Sequence, residues 1–180
     1  MKLNKFMIAA VALGFASIAN AAPAVDQGHG KITFTGSIID APCSIAPESI
    51  DQTVELGQIS KAALQNGGQS TPKNFSIKLE GCSFGDPATK NKVQIAFTGM
   101  ESMAANGLLG IYGNAMGASV AITDASGSLI TFDGVPGNIQ PLQGQNNSLN
   151  FAAYLQGDGD TVEVVEGDFQ AVADFTLSYS

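Results

Sequence analysis

Arginine is missing from the whole 180-residue chain, histidine occurs once and cysteine twice. Each scarcity excludes something. Phosphate backbones are held by clustered Lys and Arg, so a chain with 8 lysines against 16 acidic residues is not built for nucleic acid. The single imidazole, His29, lies between Gly28 and Gly30 in a stretch with hardly any bulk to order it, and no catalytic triad can be drawn around it. The chain therefore reads as a non-enzyme with no catalytic residue, no cofactor, no metal and no small-molecule substrate. Two motifs imitate sites and fail. Gly28-x-Gly30 lacks the third glycine of a dinucleotide loop and leads into β-branched residues rather than a helix. Asp158-Gly159-Asp160 with Glu163 and Glu166 has the composition of a calcium loop but reads as a solvated acidic turn.

Long apolar runs are also missing, with one exception. Lys2 and Lys5 precede a run from Phe6 to Ile18, and Ala19-Asn20-Ala21 then offers the small-x-small pattern of a cleavage site. The run falls short of the roughly 20 residues that a spanning helix needs, so residues 1–21 read as a signal peptide and the mature chain as starting at Ala22. Export places Cys43 and Cys82 under oxidising conditions, where one structural disulfide between them is expected; that leaves no thiol nucleophile and no thiolate metal site. The mature length suits a single domain with one core.

What is present is β pattern punctuated by turns. Ile32 to Ile39, Thr53 to Leu56, Asn74 to Leu79, Val93 to Thr98, Ala118 to Thr123, Ser128 to Phe132 and Leu149 to Gln156 read as strands, and Gly107 to Gly117 as a loop. Ser60 to Gln65, with a serine cap and a glycine stop at Asn66-Gly67-Gly68, reads as one or two helical turns. Short strands and frequent turns predict an all-β sandwich.

The end of the chain carries the clearest alternation. Gly167, Phe169, Ala171, Ala173, Phe175, Leu177 and Tyr179 occupy one parity, and the intervening positions are mostly polar. From Asp168 to Tyr179 such a strand would span roughly 40 Å at about 3.3 Å per residue. Nothing after it supplies a partner, and an uncovered edge is an aggregation hazard. Near the other end, Gly28, Gly30, Ile32 and Phe34 share one parity in a segment that cannot order itself alone. Such a segment could lie along another copy's open edge, since strand addition to an exposed edge is a general mode of recognition.

At these residues the chain resembles a known family, the chaperone–usher pilins, and within it the major shaft subunits of P-type pili. The resemblance rests on Gln27 to Gly36, Asp40-Ala41-Pro42-Cys43-Ser44-Ile45, Leu56 to Lys61, Gly81-Cys82, and the terminal zipper with Gly167 and Tyr179. It implies an incomplete immunoglobulin-like β-sandwich over residues 35–180, lacking its last strand and completed by donor-strand exchange. Residues 22–34 would be the donor extension, overlapping the first strand, with Gly28, Gly30, Ile32 and Phe34 facing the groove. Gly167, Phe169, Ala171, Ala173, Phe175, Leu177, Tyr179 and Ser180 would form the acceptor groove and chaperone-binding strand. The implied partners are identical subunits, a periplasmic chaperone, an outer-membrane usher and tip or adaptor pilins, with export through the periplasm to a surface fimbria serving cell adhesion. Two rival roles stand beside the shaft subunit: a minor adaptor pilin, and a monomeric secreted binding module that completes itself with its own extension.

Overall fold

Strand pairing follows the alternating segments, because side chains of one parity reach a common core while the backbone finds its ladder sideways. The computed structural model describes residues 27–105 and 107–180; the expected signal peptide, 1–21, and the first residues of the expected extension, 22–26, lie outside the described residues. The chain divides into two units, residues 1–38 and 39–180. In the first, residues 28–38 are exposed and carry no regular secondary structure. The strand expected from Ile32 to Ile39 is therefore not formed: propensity there is high, but a strand exists only where a second backbone completes its hydrogen bonds.

The second unit holds β1 (Ser44–Ile45), α1 (Pro47–Ile50), α2 (Lys61–Leu64), β2 (Lys73–Glu80), β3 (Lys92–Gly99), β4 (Leu109–Gly110), β5 (Tyr112–Gly113), β6 (Ala118–Asp124), β7 (Gln140–Pro141), β8 (Asn147–Gly157), β9 (Phe169–Gln170) and β10 (Ala173–Tyr179). One sheet runs in the order β1-β2-β8-β6-β4 and a second in the order β10-β3-β7, with β5 and β9 as a small separate pair. Every pairing is antiparallel. Ile77, Leu79, Val120, Ile122, Leu149, Phe151 and Leu155 meet Val93, Ile95 and Phe97 in one buried cluster. Phe97 stands edge-on to Phe151, centroids 5.5 Å apart, and so locks the sheets face to face.

Four expected segments turn out differently. Residues 53–59 carry no regular secondary structure, with Val54, Leu56 and Ile59 half-buried, and make no backbone hydrogen bonds among the described residues, so the strand expected from Thr53 lacks its ladder. The stretch from Ser128 to Phe132 is a crossing segment rather than a strand, meeting the end of β6 through the Leu129–Thr123 bridge, the Asp124 N–H to Ser128 carbonyl bond and the Ile130 N–H to Ile122 carbonyl bond. Gly107 to Gly117 is not a plain loop: Leu108 and Leu109 are buried and β4 and β5 lie within it. The long terminal strand is broken into β9 and β10, since β10 follows β3 whereas β9 follows β5. The capped turn is as expected, with the Ser60 hydroxyl accepting from the Ala62 N–H at 3.3 Å and the helix stopped by Asn66 and Gly67 at positive φ.

One flank of the sandwich is sealed by the chain itself. After pairing with β6, the crossing segment passes to β3, where Gly134 and Gly137 donate to the carbonyls of Phe97 and Ile95 at 2.9 Å each, and β7 completes that edge. Asp124 pins the start of the segment: its Oδ1 accepts from the Ser126 hydroxyl, the Ser126 N–H and the Ser128 N–H, and its Oδ2 from the Asn138 amide. The Ser126 hydroxyl is the main reason its carboxyl sits below the ordinary value of 3.8, with Asn138 and the two backbone donors adding to it against partial desolvation.

A depressed folded-state pKa stabilises the fold above the unfolded value, and that contribution is lost as pH falls through the folded one. Denaturation midpoints taken from about pH 6 down to about pH 2 should therefore fall more steeply for the wild type than for Asp124→Asn. Cys43 and Cys82 are joined, buried, across a sequence separation of 39, which ties the start of β1 to the end of β2. Replacing both with serine should cost about 4 kcal/mol, read as a lower midpoint in urea.

An open strand edge as the candidate assembly site

β10 pairs with β3 from Ala173 opposite Gly99 to Tyr179 opposite Val93. The ladder continues to the last residue, where Ser180 and Lys92 exchange two backbone bonds of 3.0 Å. That exchange sets the alternation: even-numbered residues turn their N–H and C=O toward β3, and odd-numbered ones toward the opposite edge. Further back, the Asp168 carbonyl accepts from the N–H groups of Asn114 and Ala115. Residues 112–116 thus continue the β3 side. Along the opposite side of β10 no partner strand occurs among the described residues, which leaves the backbone groups of Ala173, Phe175, Leu177 and Tyr179 facing an open edge.

Side chains of the same odd residues point at the core, and here the contrast with β3 is decisive. Val93, Ile95 and Phe97 of β3 are between 1% and 5% exposed. Phe169, Ala171, Ala173, Phe175, Leu177 and Tyr179 all pack against that core yet remain only half-buried. Phe175 reaches Phe97 at 6.4 Å between centroids while its other side stays wet. Tyr179 is covered enough that desolvation raises its phenol above the ordinary 10.0, so the ring stays neutral. The row is apolar, directed inward and one layer short of cover.

Gly167 stands apart from the strand proper, at a bend. A Cβ there would lie 2.8 Å from the Ala115 nitrogen and the Asn114 carbonyl carbon, at a φ of +156, so only glycine lets residues 112–116 close against this turn. The structure thus gathers Gly167, Phe169, Ala171, Ala173, Phe175, Leu177, Tyr179 and Ser180 along one line. Gly28, Gly30, Ile32 and Phe34 belong to the other unit and are exposed there. One part of the site escaped the sequence reading. Residues 112–116 were hidden by the glycine bias of their surroundings.

A sandwich with one flank sealed in cis and the other left open, its last strand half-covered, defines the class: a chaperone–usher pilin, an immunoglobulin-like fold without its final strand. The chain belongs to the fimbrial protein family, whose model matches residues 32–180. It is 60% identical over 180 residues to the Fimbria A protein of Serratia marcescens and 51% identical over 180 residues to the major MR/P fimbria protein of Proteus mirabilis, with 99% of both chains covered in each case. Among solved structures it is similar to the P pilus rod subunit PapA (35% identity, TM-score 0.69, covering 78% of this chain and 100% of that one). It is also similar to a subunit from a chaperone–usher pilus structure concerned with rod uncoiling (36% identity, TM-score 0.78, covering 88% and 100%). The chain is a surface fimbrial subunit of the major, shaft-forming kind.

Neighbouring residues of β10 should respond oppositely to the same change. Leu177→Asp puts a charge into the half-covered row and should abolish fibres, whereas Ser178→Asp, on the outer face, should leave them intact; electron microscopy of producing cells distinguishes the two.

Proposed function

We propose that the open edge of β10 receives the N-terminal extension of a neighbouring, identical subunit, and that this exchange, repeated, builds the shaft. The observation that carries the reading is the row of inward-facing apolar residues left half-buried beside an unpaired edge. Each Phe or Leu brought to full burial is worth about 1.5 to 3 kcal/mol, so covering Phe169, Phe175 and Leu177 supplies several kcal/mol. A donated backbone also satisfies the odd-numbered N–H and C=O groups.

Side-chain size selects a direction and a register. Backwards along the acceptor row, Leu177, Phe175, Ala173, Ala171, Phe169 and Gly167 run large, large, small, small, large, small. Forwards along the extension, Gly28, Gly30, Ile32, Phe34, Gly36 and Ile38 run small, small, large, large, small, large. Laid antiparallel, with Gly28 opposite Leu177 and Ile38 opposite Gly167, every pair joins a bulky side chain to a small one. Neither parallel alignment of the same six within 167–179 achieves this. The donor segment accordingly runs past Phe34 to Ile38, up to the start of the compact unit at Ile39.

Before a neighbour arrives, a periplasmic chaperone lends a strand to the same edge, with its basic residues holding the carboxylate of Ser180. An outer-membrane usher presents the next extension, and tip or adaptor pilins occupy the distal end. The free energy of better packing drives the replacement, so no nucleotide is needed.

Gly30 faces Phe175 in this register. Gly30→Phe should block assembly, and adding Phe175→Ala to the same chain should restore it in part. The readout is electrophoresis of sheared surface material in mild detergent, unheated against boiled in acid, where wild type collapses from very high mass to one monomer band. Normal fibres from Gly30→Phe alone would sink the reading.

A further inference from the structure

Strand exchange leaves an exposed apolar group on the subunit unaccounted for. Met100, Tyr112, Met116 and Val172 are large apolar side chains exposed to solvent, and they come from separate stretches of chain. Backbone pairing assembles them on one corner. Tyr112 stands opposite Gln170 in the β5–β9 pair. Met116 and Val165 exchange backbone bonds of 3.2 and 2.8 Å. Gly99 stands opposite Ala173, which sets the next residues, Met100 and Val172, side by side. Single exposed apolar residues are ordinary, but a contiguous group of this kind marks a contact surface.

Its position identifies the occupant. The corner surrounds the Gly167 end of the acceptor row, because residues 112–116 run alongside residues 165–170. With the donor strand antiparallel to β10, its Ile38 lies over Gly167. Chain continuity then brings Ile39, an exposed apolar residue and the first of the donor's compact unit, alongside Glu166, next to the Met116–Val165 bridge. A parallel donor would instead carry its compact unit to the Tyr179 end, far from this corner.

We propose that the apolar corner formed by Met100, Tyr112, Met116 and Val172 seats the body of the donating subunit, a second copy of this chain, an inference that rests on the donor-strand reading and its antiparallel register. The joint between subunits is then a strand in a groove plus a second contact surface. That surface stiffens the angle between successive subunits and slows the release of the strand.

Methionine chemistry tests this on fibres of the full chain. Hydrogen peroxide transfers one oxygen to a thioether, giving the sulfoxide and water, at a rate that follows exposure. Met103, at 103% exposure, is the internal reference, and Met116 at 60% presents more than half as much of its surface in the unassembled chain. In sheared fibres Met116 should oxidise about tenfold more slowly than Met103, followed by mass spectrometry of peptides. Rates within about twofold, as bare exposure dictates, would overturn the proposal.

A charge pair then attributes the cover to the donating subunit. Met116→Glu should lower the temperature at which fibre joints dissociate in detergent, and Ile39→Lys in the same chain should recover most of the loss. Met116→Gln, similar in shape and neutral, controls for folding. Fibre joints indifferent to Met116→Glu, or no recovery in the double variant, would also overturn the seat. Failure of the strand reading shows differently, as assembly that survives Gly30→Phe.

Discussion

Backbone hydrogen bonding at the edges of β3 and β10 is the constraint on which the rest of the molecule depends. β3 is saturated: β10 takes one of its edges, and β7 with the residues around Gly134 and Gly137 takes the other. Among the described residues β10 is satisfied on one side only. An edge residue in an antiparallel sheet points its backbone groups outward and its side chain inward at alternate positions, so an unpaired edge and an uncovered apolar row coincide on the same residues. The missing strand is one deficit with two faces, hydrogen bonds and hydrophobic cover, and a single added strand would remove both.

The two flanks show how such a deficit is avoided or kept. On the closed flank, the crossing segment leaves β6, held at its root by Asp124, and reaches β3 within a few residues. On the open flank, no strand among the described residues pairs with β10. The disulfide anchors the start of β1 to the end of β2. Cross-linking of this kind keeps an incomplete sandwich together by limiting its unfolded alternatives. A fold built this way is closed on one flank and open on the other among the described residues.

Much of the fold was legible because the strands that formed are those whose alternation serves a two-sided purpose. β2, β3, β6 and β8 lie where alternating or apolar runs predicted them, each flanked on both edges and buried on one face. The expectations that failed concern pairing rather than propensity. Residues 32–39 and 53–56 have strand composition but no ladder among the described residues, residues 128–137 divide their hydrogen bonds between two sheets, and the terminal strand breaks where its partner changes from β3 to β5. Pairing is a relation between distant segments, and local pattern is blind to it.

By itself the sequence determined the alternation of the terminal row, the extension's sequence of small and bulky residues, and the presence of two cysteines to join. These are one-dimensional properties: parity sets the face and side-chain volume sets the fit. Only the tertiary structure decided that the row would stay half-buried, that the opposite flank would be sealed by residues 128–141, and that Gly167 would sit against Asn114 and Ala115 with an apolar corner gathered beside it. The reason is physical: burial, edge exposure and surface patches arise from which backbones lie next to one another, and that adjacency is created by the ladders and the packed core rather than by any single stretch of chain.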